Sequence, residues 1–193
     1  MSAIDLVWIA LSYLIGSISW GIVLGFLHGL DLRQRDLPGG SGVFRQLGPS
    51  WGVLTALLDA AKGALVALLA THAAPPGLAP WMAAAVVAGH CWPVFFGFSG
   101  GGGLAPSVGF FLVFRPQVTL GALAVVAVTA LLYYPWWKKR GGVLGIYPIP
   151  FAALFGYAYA LWALHGDAEG SRAILGVTLV VLARGLRLLQ GKR

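Results

Sequence analysis

Residues 89–107, GHCWPVFFGFSGGGGLAPS, place one histidine, His90, and one proline ahead of Gly97 and the unbroken run Gly100, Gly101, Gly102 and Gly103, with Ser107 closing the stretch. Glycine lacks a Cβ, leaves its amide N–H uncovered and enters positive φ freely, so such a run can fold into a nest of donors around an anion. A helix beginning at Leu104 would add free N–H groups and the positive end of its dipole. The plainer alternative is a flexible turn between apolar segments. A second combination of this kind lies at residues 31–50, where Arg33, Arg35 and Arg45 stand beside Gly39, Gly40 and Gly42. Guanidinium forks beside exposed glycine backbone suit phosphate oxygens; the alternative is a loop whose arginines only fix orientation. Asp59 and Lys62 form a third pair, three residues apart and hence on one helical face, inside an apolar segment. Ionisable groups at that depth are costly and mark either function or an ion pair that locks helices together. His90 reads as a packing or hydrogen-bonding residue, or, through its nearness to the glycines, as part of the same site.

The elements that must position these groups are apolar. The chain has 193 residues, 59% of them hydrophobic and only 10% charged, with a mean hydropathy of +0.83. That leaves too little polar sequence to clothe a water-facing surface, and predicts an all-α, polytopic integral membrane protein forming one membrane domain over residues 1–193. Residues 6–27 are long enough to cross ~30 Å of hydrocarbon at ~1.5 Å per residue. They lack a basic start and a small-residue cleavage site, and so predict a retained helix. Gly21, Gly25 and Gly29 recur every fourth residue, a spacing that admits a neighbouring helix. Residues 51–69, 81–96, 118–137 and 143–164 read as further spans.

Residues 104–114 are too short to read as a span by hydropathy, and charge supplies the argument for counting them. If the arginine-rich loop and the cluster Lys138, Lys139 and Arg140 are both cytoplasmic, an even number of crossings separates them. A short span after a re-entrant glycine loop restores that parity. The expectation is then seven transmembrane helices, the N-terminus outside, the acidic loop with Asp167 and Glu169 outside, and the C-terminal residues Arg184, Arg187, Lys192 and Arg193 cytoplasmic. The arginine loop, the glycine run and the basic tail would all emerge on the cytoplasmic side.

Several classes fall away. The single Cys91 excludes an intrachain disulfide and a cysteine metal cluster, and the four histidines are scattered, so no metal or cofactor is expected. No nucleophile elbow, zinc-protease or Walker signature is present. The net charge of +7 sits at the ends of apolar segments, where it acts as a topology signal and does not point to nucleic acid.

The motifs YLIGSISWG at 13–21, GLDLR at 29–33, VFRQLG at 43–48, LLDAAKG at 57–63, GHCWPVFFGF at 89–98 and RLLQGK at 187–192 run through nearly the whole chain. In that order they resemble the bacterial membrane glycerol-3-phosphate acyltransferases that use acyl phosphate as donor, the PlsY family. The resemblance implies seven transmembrane helices and an outside N-terminus, in a multi-pass protein of the bacterial cytoplasmic membrane whose active face is cytoplasmic. It implies transfer of an acyl group from acyl phosphate to the 1-hydroxyl of glycerol 3-phosphate, giving lysophosphatidic acid for phospholipid biosynthesis. Acyl phosphate, glycerol 3-phosphate and membrane lipid are then the partners; a monomer is compatible with this, and the oligomeric state stays open. It further implies that Arg45 grips phosphate, that His90, Asp59 and Lys62 complete the catalytic centre, and that Arg187 contributes from the last helix. Gly39, Gly40, Ser41, Gly100, Gly101, Gly102, Gly103 and Ser107 would line the phosphates.

The chain departs from the family pattern in both loops. Where the family reads near GSGNIGATN, this sequence is shorter and reads DLPGGSG, leaving Ser41 as the nearest hydroxyl. Where the family reads near GFKGGKGVAT, it has GFSGGGGLAP, so two lysines become Ser99 and Gly102 and a threonine becomes Pro106. The family's His and Asn in the last helix fall near Val181 and Arg184. Arg35, Arg184 and Arg187 are the residues that could return charge from new positions. A catalytically silent relative that binds an anionic lipid or phosphate ligand, as regulator or partner, is the alternative reading.

Overall fold

In the computed structural model, which describes residues 1–191, the chain is all α. The helices are α1 (Ala3–Ser17), α2 (Trp20–Leu27), α3 (Gly40–Leu47), α4 (Pro49–His72), α5 (Ala79–Cys91), α6 (Leu104–Phe114), α7 (Pro116–Arg140), α8 (Pro148–Ala163) and α9 (Ala168–Leu189). Their ends follow local chemistry. Ser2 and Asp5 form a reciprocal capping box on α1, and Asp167 accepts from the Glu169 and Gly170 amides at the start of α9. Proline opens α4, α7 and α8, where the missing N–H costs nothing.

Helix α5 is the axis of the fold. Ten of its residues are buried, and it packs against α1 on one side and α9 on another, while α4 lies along α6 and α7 along α8. Met82, Val86 and Val87 meet Val66, Phe110, Ile174 and Val177 in the core. Two crossings are close enough to require glycine. A Cβ at Gly16 or Gly89 would strike the backbone carbonyl of the opposite helix where α1 meets α5, and Gly63 and Gly109 play the same part where α4 meets α6. These crossings bring the Lys62 turn of α4 against the end of α1 and the end of α5.

The structure corrects the expected count of seven spans. Among the described residues four helical segments are long and apolar enough to cross a membrane: Ala3–Leu27, Pro49–His72, Ala79–Phe96 and Pro116–Arg140. Helix α6 has 11 residues and α8 has 16, which at ~1.5 Å per residue reach only about 16 and 24 Å against a ~30 Å core. Helix α9 is 22 residues long, but Glu169, Arg172, Arg184 and Arg187 remove it from the apolar class. The parity argument, and with it the N-outside, C-inside assignment, loses its basis with the count.

Three local expectations also change. Residues 6–27 do not form one continuous helix: Ile18 and Ser19 are extended, with ψ of 99° and 97°, and separate α1 from α2. Gly21 and Gly25 admit loop backbone at Pro38 and Leu30 instead of a neighbouring helix, and Gly29 is a left-handed turn with φ +69°. Residues 143–164 open with a 3-10 turn, Val143–Gly145, and become α-helical only at Pro148. Lys192 and Arg193, read from sequence as part of the basic tail, lie outside the described residues.

Candidate active site

The break between α1 and α2 leaves helix-end carbonyls that have no amide to receive them, which is untenable in an apolar surrounding unless another donor arrives. Lys62 is that donor. Its ammonium lies 2.8 Å from the Gly16 carbonyl oxygen and 2.7 Å from that of Ile18. The same nitrogen is 3.0 Å from His90 Nδ1 and 3.0 Å from Asp59 Oδ1. Asp59, Lys62 and His90 are all buried, at 0%, 5% and 2% exposure. An ammonium has three protons, and two go to the carbonyls. The third lies between the imidazole and the carboxylate, and neither Asp59 oxygen has a well-aligned hydrogen bond of its own. Asp59 is therefore held by charge at short range. With an ammonium as neighbour Nδ1 accepts, which assigns the ring hydrogen of His90 to Nε2.

That Nε2 edge faces the glycine run. A Cβ at Gly101 would collide with the His90 ring, and the Gly101 amide donates to the His90 carbonyl at 3.0 Å. The run ends at Gly103, left-handed with φ +87°, and α6 begins at Leu104 without a side-chain cap, as the sequence led one to expect. From the other side Arg184 of α9 reaches the same loop, its Nε donating to the Gly101 carbonyl at 3.2 Å and its Nη2 to that of Gly100 at 2.7 Å. Arg184 is 2% exposed.

The first loop closes over this arrangement. Arg33 forks onto Asp31 with two bonds of 2.8 Å and donates to the Phe96 carbonyl at 3.0 Å, tying residues 31–36 to the turn before the glycines. The hydrogen bond from Arg33 holds the Asp31 carboxyl below its ordinary range. A Cβ built on Gly39, at the uncapped start of α3, would lie 4.0 Å from the Gly101 Cα, so the two loops face each other there. Between the two loops lies a cavity of about 50 Å³ walled by Arg33, Asp36, Pro38, Ser99, Gly100 and Arg184. A separate apolar cavity of about 160 Å³ lies among α6, α7, α8 and α9, bordered by Leu104, Ser107, Ala122, Val126 and Ala153.

The residues singled out from sequence are thus distributed unevenly. Asp59, Lys62 and His90 come together, directly beneath the glycine loop, and Gly101 of that loop lies opposite Gly39. Gly40 is committed to packing on Gly52 and Ala56 of α4, and Ser41 is exposed on α3. Ser107 donates to the Gly103 carbonyl at 2.7 Å and borders the apolar cavity. Arg45 does not wall the small polar cavity. It pairs with Asp36 at 2.6 Å and lies over the Tyr147 ring at 4.4 Å. Arg187 is exposed over Trp92 at 5.5 Å.

The sequence model of the family described as glycerol-3-phosphate acyltransferase matches residues 6–185. The chain belongs to this family. It is 39% identical over 180 residues to glycerol-3-phosphate acyltransferase 2 of Deinococcus radiodurans, covering 89% of this chain and 91% of that protein. It is 38% identical over 156 residues to the glycerol-3-phosphate acyltransferase of Trichlorobacter lovleyi, covering 78% of each. Among solved structures it is similar to PlsY, an integral membrane glycerol 3-phosphate acyltransferase, in its glycerol 3-phosphate form, with a TM-score of 0.75, 28% identity, and coverage of 98% of this chain and 94% of that one. The lysophosphatidic acid form of PlsY aligns with the same TM-score at 27% identity.

Arg33, Ser99 and Arg184 wall the cavity; the sequence named Arg33 with the first loop's arginines and Arg184 as a charge that could return from a new position, but the family resemblance assigned none of the three to the site. For Arg184 a signal existed. It falls in register with Ala173, Ile174 and Val177 on the buried face of α9, a charge where the helical period calls for an apolar side chain. For Arg33 and Ser99 no local pattern distinguishes them from their loop neighbours.

Proposed function

We propose that this protein is a multi-pass enzyme of the bacterial inner membrane that transfers an acyl group from acyl phosphate to glycerol 3-phosphate, forming lysophosphatidic acid and inorganic phosphate. The observation that carries the site assignment is the meeting of the first loop and the glycine loop around a small cavity walled by Arg33, Arg184, Ser99 and Gly100, with the Asp36 carboxylate on its wall neutralised by Arg45. At about 50 Å³ it offers several times the ~10–15 Å³ that one water needs. The uncapped amides opening α3 and α6 add donors to the same neighbourhood.

In the reaction the acceptor hydroxyl oxygen attacks the acyl carbon, the bond from that carbon to the phosphate oxygen breaks, and phosphate leaves as the hydroxyl proton is taken up by phosphate or water. The work left to the protein is positioning and charge stabilisation. His90 has Nδ1 engaged by Lys62 and its Nε2 edge under Gly101, so it serves as a positioning residue that sets the height of the loop. Asp59 and Lys62 hold the α1 break and His90 in register. The apolar cavity beside Leu104 takes part of the acyl chain; apolar cavities of about 150 Å³ admit guests the size of benzene. The cytoplasmic face is the one bearing the site: Arg33, Arg35 and Arg45 stand together in the first loop beside it, and the positive-inside rule directs such a loop to the cytoplasm.

The test is phosphate release from acyl phosphate by the purified protein in detergent or lipid, with the lipid product identified by mass spectrometry. Release that requires glycerol 3-phosphate and yields the mono-acylated product is the expected result. Release of phosphate at the same rate without acceptor would overturn the reading.

A further inference from the structure

Two arginines, Arg33 and Arg184, wall the small polar cavity and a third, Arg45, pairs with the Asp36 on its wall, and they are not equivalent. Arg33 is forked onto Asp31 and Arg45 is paired with Asp36, so each is neutralised in place. Arg184 is more deeply buried than either, and among the described residues no carboxylate lies within ion-pair distance of it. Its Nε and Nη2 are committed to the carbonyls of Gly101 and Gly100, and its Nη1 has no hydrogen-bond partner among the described residues. Two carbonyl dipoles do not cancel a full charge. A guanidinium taken out of water without a counter-charge is costly unless an anion arrives, and here the cavity it walls is where one can.

We infer that Arg184 is a phosphate-binding residue of this enzyme, its guanidinium set beneath the glycine loop to face the phosphate of a substrate in the cavity between the two loops. The inference rests on the acyltransferase reading for its substrates. The chemistry recognised is a phosphate dianion, carried by glycerol 3-phosphate or by acyl phosphate. Arg184 thereby also shapes the site: its bonds to the two carbonyls fix the backbone of Gly100 and Gly101 beside the cavity.

A charge that binds substrate must be separated from an arginine that merely braces the loop, and Gly102 makes this possible. A side chain there would start in open space, with nothing within 4 Å of its Cβ, so a lysine can be introduced at the loop without disturbing packing. Arg184→Met, Arg184→Gln and the double variant Arg184→Met with Gly102→Lys are compared with the unaltered protein. Kinetics are measured against each substrate with the other saturating. Both single variants are expected to lose about 100-fold or more in kcat/KM, the scale of removing one preorganised charge stabiliser, with Gln no better than Met although it can still donate to a carbonyl. The double variant is expected to recover at least tenfold, because it returns a cation without returning the bonds to Gly100 and Gly101. A rise in KM for glycerol 3-phosphate assigns Arg184 to the acceptor, and a rise for acyl phosphate assigns it to the donor. Activity of Arg184→Gln near that of the unaltered protein, or no recovery in the double variant, would overturn the inference. Inorganic phosphate binding by calorimetry provides an arm that does not depend on turnover. If the unaltered protein shows no acceptor-dependent release, the acyltransferase reading fails; equal phosphate affinity in the unaltered protein and Arg184→Gln overturns the role of Arg184.

Discussion

Lys62 and Asp59 are an ion pair on paper, yet their surroundings make the two ends unequal, and that inequality can be measured. Lys62 keeps three further acceptors, the Gly16 and Ile18 carbonyls and His90 Nδ1, if Asp59 is neutralised. Asp59 keeps no well-aligned hydrogen bond if Lys62 is removed. Stranding one partner of a buried pair costs ~3–5 kcal/mol, and each buried carbonyl deprived of its donor adds ~1–3 kcal/mol. Lys62→Met does both and is expected at or above the upper end of the first range, whereas Asp59→Asn, which preserves shape, falls at least about 2 kcal/mol below it. The double variant Lys62→Met with Asp59→Asn removes the stranded charge and is expected to be more stable than Lys62→Met alone. Unfolding in mixed micelles by titration with dodecyl sulfate, followed by tryptophan fluorescence, closes the double-mutant cycle. Equal losses in the two single variants, or a double variant whose loss is the sum of both, would refute the geometry argued for this cluster.

Other consequences follow from individual contacts. Gly101→Ala drives a methyl into the His90 ring and is expected to lower unfolding stability and acyl transfer together, whereas Gly102→Ala leaves the unfolding midpoint unchanged. At the opposite end of the fold, Arg115 donates to Asp167 at 2.5 Å, and this bond, with the amides of Gly170 and Glu169, holds the Asp167 carboxyl below its ordinary range. A carboxyl with a lowered folded pKa contributes stability fully above its unfolded value of ~3.9 and loses it as pH falls through the folded value. Asp167→Ala is therefore expected to cost about 1 kcal/mol near pH 7 as a lost helix cap, with the difference from the unaltered protein shrinking below pH ~4 in the same unfolding assay. Ala122→Leu fills part of the apolar cavity beside Leu104 and is expected to shift donor preference toward shorter acyl phosphates, read from relative rates across a chain-length series; an unchanged profile would place the acyl chain elsewhere.

The family and its chemistry were legible in the sequence because the motifs that carry them are local: GHCWPVFFGF, LLDAAKG and the glycine run each place their residues within a turn or two. The spacing of Asp59 and Lys62 put them on one face, and they do meet. The span count was not legible. Hydropathy registers that residues 104–114 and 143–164 are apolar, but not that α6 stops after 11 residues or that α8 starts only at Pro148. The partners of Arg45 and Arg184 were not legible for a similar reason. Both are arginines near a glycine loop, and only the fold shows that Arg45 has an aspartate nine residues away to neutralise it.

Composition placed this chain in a membrane, and the length of its apolar runs made it helical, since a continuous run of about 20 apolar residues satisfies its own backbone in a bilayer only as a helix. The glycines determined that two backbones and an anion-sized space could come close. Which charges remain uncompensated at that space was decided by tertiary structure. Neutralisation depends on distances of a few ångströms between side chains brought from helices far apart in sequence, and α9 delivers Arg184 to the glycine loop across more than eighty residues of intervening chain.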